Sequence, residues 1–208
     1  MPVLHMLKIN NIFWSLHGEG LRSGTPAIFI RLSGCSLQCP YCDTRDAWSA
    51  GRQMSVAEIA AAVAVLKKSA PQSRLVITGG EPLQQDLGEL ARLFRGKKYF
   101  VAVETNGLHF QDLPFDWWTV SPKDVAAYRV HPQLWARVAE IKLLVTAALN
   151  LDVLVAIRQK TQAPITLQPE YGQARKYRRA FDFFRSSQRL GIANIRLGVQ
   201  LHKIYRIP

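Results

Sequence analysis

The stretch PAIFIRLSGCSLQCPYC, residues 26–42, governs how the rest of the chain is read. Its first eight residues, Pro26 to Ser33, form a short apolar run with β-branched side chains, which predicts a buried strand. The run breaks at Gly34, which can relieve the turn. Three cysteines follow, Cys35, Cys39 and Cys42, spaced C-x3-C-x2-C, and they are all the cysteines the chain has. An odd, clustered set in a chain without a recognisable secretion signal argues against a disulfide framework and for a metal or cluster site. Thiolates are soft ligands suited to iron–sulfur clusters and to zinc. Four would saturate a [4Fe–4S] cluster, whereas three leave one iron open. On the cysteines alone, a structural zinc completed by a histidine or carboxylate competes with the cluster.

Outward from this stretch, strands and helices alternate. Ser55, with Glu58 three residues on, makes a capping box for a helix that runs through Ala-rich sequence to Lys68. Leu75 to Thr78 reads as a buried strand ending in Gly79-Gly80, and Leu83 to Phe94 as a helix stopped by Gly96. Further strands are expected at Tyr99–Glu104, Trp117–Val120, Ile141–Val145, Ile165–Leu167 and Ile195–Leu201, with helices at Leu151–Lys160 and Ala174–Gln188. This alternation predicts an α/β fold with a mainly parallel sheet and helices packed outside. The chain's 208 residues are short for a full eightfold barrel of about 250. A shortened, partial (β/α)6-like barrel of about six strands is therefore expected, in a single domain spanning residues 1–208.

The composition is that of an ordinary globular protein, 48% hydrophobic and 20% charged. No apolar stretch is long enough to span a membrane. The opening MPVLHMLKINN has no apolar core followed by a cleavage site, so no signal peptide and a cytoplasmic location are expected. The formal charge is +12, from 27 Lys and Arg against 15 Asp and Glu. Its densest run, Arg175 to Arg179, lies in an expected helix and carries no nucleic-acid motif, so a solvated basic surface is expected and no direct nucleic-acid partner.

Polar clusters recur just after the strands' C-terminal ends, where parallel sheets bind ligands. Gly79-Gly80-Glu81-Pro82 is one: glycines admit close backbone approach, and carbonyls with a carboxylate suit an ammonium group. Ser121-Pro122-Lys123 offers a hydroxyl for a ribose or carboxylate and an ammonium for a carboxylate. Glu104-Thr105-Asn106-Gly107 and Gln168-Pro169 close two other strands.

The C-x3-C-x2-C loop followed one strand–helix unit later by GGEP resembles the radical S-adenosylmethionine (SAM) superfamily. Phe13-Trp14-Ser15-Leu16-His17-Gly18-Glu19-Gly20, Cys42-Asp43-Thr44, GGEPL, ETNG, SPK, QP and the terminal Leu201-His202-Lys203 narrow this further. In that order, they resemble the 7-carboxy-7-deazaguanine synthase family along nearly the whole chain. The resemblance implies a barrel of the radical SAM type and a lyase that converts 6-carboxy-5,6,7,8-tetrahydropterin to 7-carboxy-7-deazaguanine and ammonia, toward queuosine. SAM on the open iron would be cleaved reductively, and the resulting radical would take hydrogen from C6 of the pterin before the ring contracts.

The same resemblance assigns residues. Cys35, Cys39 and Cys42 would hold the [4Fe–4S] cluster and Thr44 a Mg²⁺ ion. Tyr41, Gly80, Glu81, Ser121, Pro122, Lys123, Gln168, Pro169, Glu170 and Tyr171 match SAM positions. Leu16, His17, Gly18, Glu19, Arg31, Thr78, His202 and Pro208 match substrate positions, with Arg31 suited to the substrate carboxylate. The family usually carries glutamine where this chain has His17, which can still donate and accept but responds to pH. A homodimer and a reductant such as flavodoxin are also implied. Two other readings remain at this point. A glycyl-radical-enzyme activating protein shares the cysteine spacing, but the HGEG and CDT segments suit a small substrate with Mg²⁺. A non-enzymatic zinc- and RNA-binding protein would leave GGEP, SPK and QP without a purpose.

Overall fold

The computed structural model describes residues 5–208. Residues 1–4, the start of the N-terminus read above as carrying no signal peptide, lie outside the described residues. The strands are β1 (Met6–Leu16), β2 (Pro26–Leu32), β3 (Arg52–Ser55), β4 (Arg74–Gly79), β5 (Val101–Thr105), β6 (Trp117–Val120), β7 (Glu140–Leu144), β8 (Ile165–Gln168) and β9 (Ile195–Leu197). The α-helices are α1 (Val56–Ser69), α2 (Gly88–Gly96), α3 (Leu151–Lys160), α4 (Ala174–Arg189) and α5 (Leu201–Tyr205). One sheet holds every strand, in the order β3-β1-β2-β4-β5-β6-β7-β8-β9. Six successive parallel pairings join seven strands from β2 to β9, one more than the six expected. β1 and β3 extend the sheet antiparallel at one edge and were not expected at all. The register of β1 slips between Ile9 and Asn11, a bulge that breaks the period-2 pattern by which a strand is recognised.

Two other expectations change. The helix expected over Leu83–Phe94 is instead a single tight turn at Pro82–Gln84 followed by α2. Between them Gln85 is extended, because its side chain is bonded to both main-chain groups of Lys8 and to the Ser33 carbonyl. The last strand stops at Leu197, and α5 takes the chain off the sheet edge, where the Leu201 amide donates to the Gly18 carbonyl at 2.8 Å. The capping box at α1 is present: the Ser55 hydroxyl accepts from the Glu58 amide, and the Glu58 carboxylate accepts from the Ser55 amide at 2.7 Å.

Alternation along the strands sorts the side chains into two faces. Ile28, Ile30 and Leu32 of β2, Leu75 and Ile77 of β4, and Val101 and Val103 of β5 are fully or nearly fully buried in the core that includes Ile59 and Val63 of α1 and Leu90 and Phe94 of α2. The opposite phase lines the concave face. There, Ala27, Val76 and Ala102 pack with Phe29, Phe100 and Trp117 near the strands' N-terminal ends. Higher on the same face the register aligns Arg31 with Thr78 and Glu104 with Thr119. The polar residues of the inner face therefore converge at one end of the sheet.

The β1–β2 turn folds against the other end. Leu16 pairs with Pro26, so residues 17–25 start from the N-terminal ends of the parallel strands. The Leu21 amide donates to Glu140 Oε1 at 2.8 Å, and the Arg22 guanidinium sits 4.5 Å from the Phe100 ring centroid. Burial, with Arg74 nearby, lowers the Arg22 pKa to about 10. This turn closes the bottom of the partial barrel and sends His17 and Glu19 up into it.

Candidate active site

A cleft of about 780 Å³ opens at the C-terminal ends of the strands. All three cysteines line it. Their loop begins at Gly34, whose φ of +99° only glycine adopts readily, and tightens where the Cys42 amide donates to the Cys39 carbonyl at 3.0 Å. Cys39 is buried, and burial pushes its thiol pKa up, while Lys123 opposes the shift. Among the described residues, the acidic, histidine and cysteine donors that converge within 4.8 Å of one another are those of Glu19, Asp43 and His202. Among the described residues no histidine or carboxylate joins the thiols in such a set, so a closed tetrahedral zinc lacks its fourth ligand, whereas three thiolates suit a cluster with one iron open. The residues present therefore fit a [4Fe–4S] cluster.

The glycines of the GGE turn act on protein rather than on a ligand. A Cβ on Gly79, at φ +148°, would lie 2.2 Å from the Leu32 carbonyl oxygen. One on Gly80 would lie 2.2 Å from the Gly34 carbonyl oxygen. Their absence lets the Gly80 amide donate to Leu32 and the Glu81 amide to Gly34, at 3.0 and 2.7 Å, which presses the turn against the root of the cysteine loop. Gly80 still lines the cleft, but Glu81 does not. Glu81 is 1% exposed and accepts from the Leu83 amide, the Thr105 hydroxyl and the Asn106 amide. Burial raises its pKa against these bonds. The expectation that this carboxylate takes an ammonium group is corrected: Glu81 ties the GGE turn to the ETNG loop.

The other positions matched to SAM divide in the same manner. Tyr41, Ser121, Lys123, Gln168, Glu170 and Tyr171 line the cleft. Pro122 is buried behind it, and Pro169 faces a separate small groove beside Val199 and Ile204, so both shape the main chain without facing the cavity. The Tyr41 hydroxyl donates to Asp124, which also accepts from the Thr146 hydroxyl at 2.9 Å. The Lys123 ammonium donates to the Ser121 hydroxyl at 2.7 Å. Burial, and then Lys142, lower the Lys123 pKa. Glu170 accepts from Lys176 at 2.6 Å, and Tyr171 stands half-exposed at the rim.

Every residue matched to substrate lines the cleft: Leu16, His17, Gly18, Glu19, Arg31, Thr78, His202 and Pro208. Arg31 lies over the Phe13 ring at 5.2 Å and donates to the Thr44 hydroxyl at 3.2 Å. That hydroxyl donates to Asp43 at 3.0 Å. His202, its Nε2 3.7 Å from the carboxylate, is the main cause that holds the Asp43 carboxyl well below its usual range, with Lys203 assisting. A Cβ on Gly18 would lie 2.1 Å from His202 Nδ1 and would push that ring aside.

The floor holds residues the sequence reading passed over. Lys142, 6% exposed, donates to Glu19 Oε2 at 3.0 Å and to Glu104 Oε2 at 2.9 Å. His17 Nε2 lies 3.2 Å from Glu104 Oε1, within ion-pair distance but off the hydrogen-bond direction, while its Nδ1 lies 2.8 Å from the Glu19 carbonyl. Burial alone drives the Glu104 pKa up, yet Lys142 and His17 outweigh it and hold the carboxyl well below its usual range. The Lys142 ammonium, disfavoured by burial, is held above its usual range by Glu104 and Glu19. The signal was available in principle. Glu104 in VAVET and Lys142 in EIKLL occupy the same inward phase as Arg31 in IFIRL.

This constellation, three thiols on the loop after the first parallel strand and polar side chains at the C-terminal ends of the others, defines an iron–sulfur and SAM enzyme of the partial-barrel class. The Radical SAM superfamily model matches residues 29–138, more than half of the chain, and membership implies a [4Fe–4S] cluster and SAM. Among relatives, the 7-carboxy-7-deazaguanine synthase of Aquifex aeolicus is 34% identical over 79% of this chain and 78% of that protein. The enzyme of the same name from Methanospirillum hungatei is 50% identical over 53% of this chain and 47% of that protein. The crystal structure of QueE from Escherichia coli superposes with a TM-score of 0.74 and 29% identity over 95% of each chain. The chain belongs to the 7-carboxy-7-deazaguanine synthase family.

Proposed function

We propose that this chain is a lyase that converts 6-carboxy-5,6,7,8-tetrahydropterin to 7-carboxy-7-deazaguanine with loss of ammonia, in the route to queuosine. The observation that carries the reading is that one cleft gathers the three thiols, Arg31, Thr44 and the pair Glu19–Glu104. When bound, the cluster and SAM supply a 5′-deoxyadenosyl radical. The protein's own residues hold, orient and shield. Lys123 and Ser121 offer a cation and a hydroxyl at the thiol side of the cleft, for the carboxylate and ribose of the cofactor. Arg31 presents a planar fork to a substrate carboxylate. Glu19 and Glu104 present acceptors to the N–H groups of a pterin ring.

Mg²⁺ belongs to the same reading. Thr44 offers a single hydroxyl beside Asp43, whose carboxylate accepts from it at 3.0 Å. A hard ion that keeps waters and shares substrate oxygens suits such a setting. The reading extends to a homodimer, a one-electron donor such as flavodoxin, and the cytoplasm, where reductants protect thiolate ligands. The test is anaerobic incubation of reduced, reconstituted protein with SAM, Mg²⁺ and the carboxypterin, with products identified by mass. The expected products are 7-carboxy-7-deazaguanine and ammonia; 5′-deoxyadenosine without the deazapurine would overturn the substrate assignment.

A further inference from the structure

Among the described residues, Lys142 stands out as a buried cation in the cleft that the cofactor and carboxylate assignments leave unused. It lies in the middle of β7, on the inner face next to Glu140 in the alternation. Its two bonded carboxylates come from different parts of the chain, Glu19 from the turn that closes the barrel and Glu104 from β5. An ammonium has three N–H donors, and two are used here. Without Lys142, two partly buried carboxylates would face one another, an arrangement in which at least one tends to take up a proton. A protonated carboxyl is turned from an acceptor into a donor at that oxygen.

We propose that Lys142 is a positioning residue for the pterin: it keeps Glu19 and Glu104 ionised and aimed into the cleft as acceptors for the ring's N–H groups. This rests on the function proposed above. The same pair of bonds joins the barrel-closing turn to the sheet, so Lys142 also sets the height of Glu19 in the cleft. The remaining charged groups around this cluster are His17 beside Glu104, Glu140 on the same strand, Asp43 and His202 within 4.8 Å of the Glu19 carboxylate, and Lys123 across the cleft. Gln200 supports the arrangement from α5's side, donating to the other Glu19 oxygen at 2.7 Å.

The experiment measures carboxypterin and SAM affinities by calorimetry on the anaerobically reconstituted holoenzyme, for the parent and Lys142→Met, from about pH 6 to about pH 9. Lys142→Met is expected to weaken carboxypterin binding about tenfold near pH 7, the worth of one charge-assisted hydrogen bond. SAM affinity should change by less than about twofold, well below that same measure. The sign of the pH effect follows from the carboxylates. Without the ammonium, burial and mutual repulsion raise their pKa, so the loss should shrink as pH rises and they ionise. A merely structural role for Lys142 predicts no such profile. Parent-like carboxypterin affinity in the variant, or a loss that does not change with pH, overturns the proposal. If Lys142→Met does not fold, Lys142→Gln keeps a donor to the two carboxylates but removes the positive charge. Weakened carboxypterin binding with parent-like SAM binding then supports the role, and parent-like binding of both overturns it. A parent holoenzyme that binds SAM but not carboxypterin would instead overturn the proposed function itself.

Discussion

At the rim of the cleft, around the cysteine loop, position is set by main chain. Gly79 and Gly80 pack against the carbonyls of Leu32 and Gly34, and amide-to-carbonyl bonds lock the two loops together. At the floor, position is set by charged side chains, with Lys142 between Glu19 and Glu104 and His17 beside them. The two regions should respond to different insults. The rim tolerates no added volume at Gly79 and Gly80, because carbonyl oxygens cannot swing aside as side chains do. The floor cannot lose a charge, because each ion there depends on its partner.

The largest break is at the rim's purpose. Cys39→Ala should lower iron from about four per chain to a small fraction of that and abolish 5′-deoxyadenosine formation, as read by iron analysis and chromatography. A variant that keeps the brown chromophore and its activity would remove Cys39 from the ligand set. Next comes the charge-built wall. Arg31→Ala should raise the KM for carboxypterin about tenfold or more, since a guanidinium–carboxylate pair is lost. Its Tm should change little, because Arg31 rests on the Phe13 ring at the cleft surface.

Gly80→Ala sharpens the contrast by inserting one methyl group at the rim. Its Cβ would meet main chain on both sides, Gly34 and Ala47. About 2 kcal/mol of overpacking is expected. For a chain of this size that lowers Tm by about 4–8 °C, measurable by calorimetry. An unchanged Tm would mean the rim yields more easily than its contacts imply. The smallest effect is expected at Thr44→Ala, which removes a hydroxyl but leaves Asp43 in place. The stimulation of turnover by Mg²⁺ should fall by a few-fold, on the order of one ligand's share. A Mg²⁺ titration identical to the parent's would take Thr44 out of the ion's surroundings.

What could be read from the chain follows the same division. The cysteine loop, the GGE turn and SPK are local: each depends on neighbours within a few residues and on the strand that precedes it. The alternation of strands and helices was readable too, whereas Arg31's place in the site came from the family resemblance. Three features escaped. β1 was obscured by its bulge, Glu81 was read as a ligand group although its carboxylate is consumed by Thr105 and Asn106, and Lys142 was passed over as one lysine among many.

By itself, the sequence determined the class of enzyme and the run of parallel strands, because thiol spacing, glycine positions and apolar runs are set within a single segment. Only the tertiary structure decided which inward residues meet. Lys142 lies 38 residues from Glu104 and 123 from Glu19. Their pairing depends on the register of parallel strands across the sheet and on a turn folding up from its far end. No segment carries that information alone, because a buried ion's partner is chosen by distance in space.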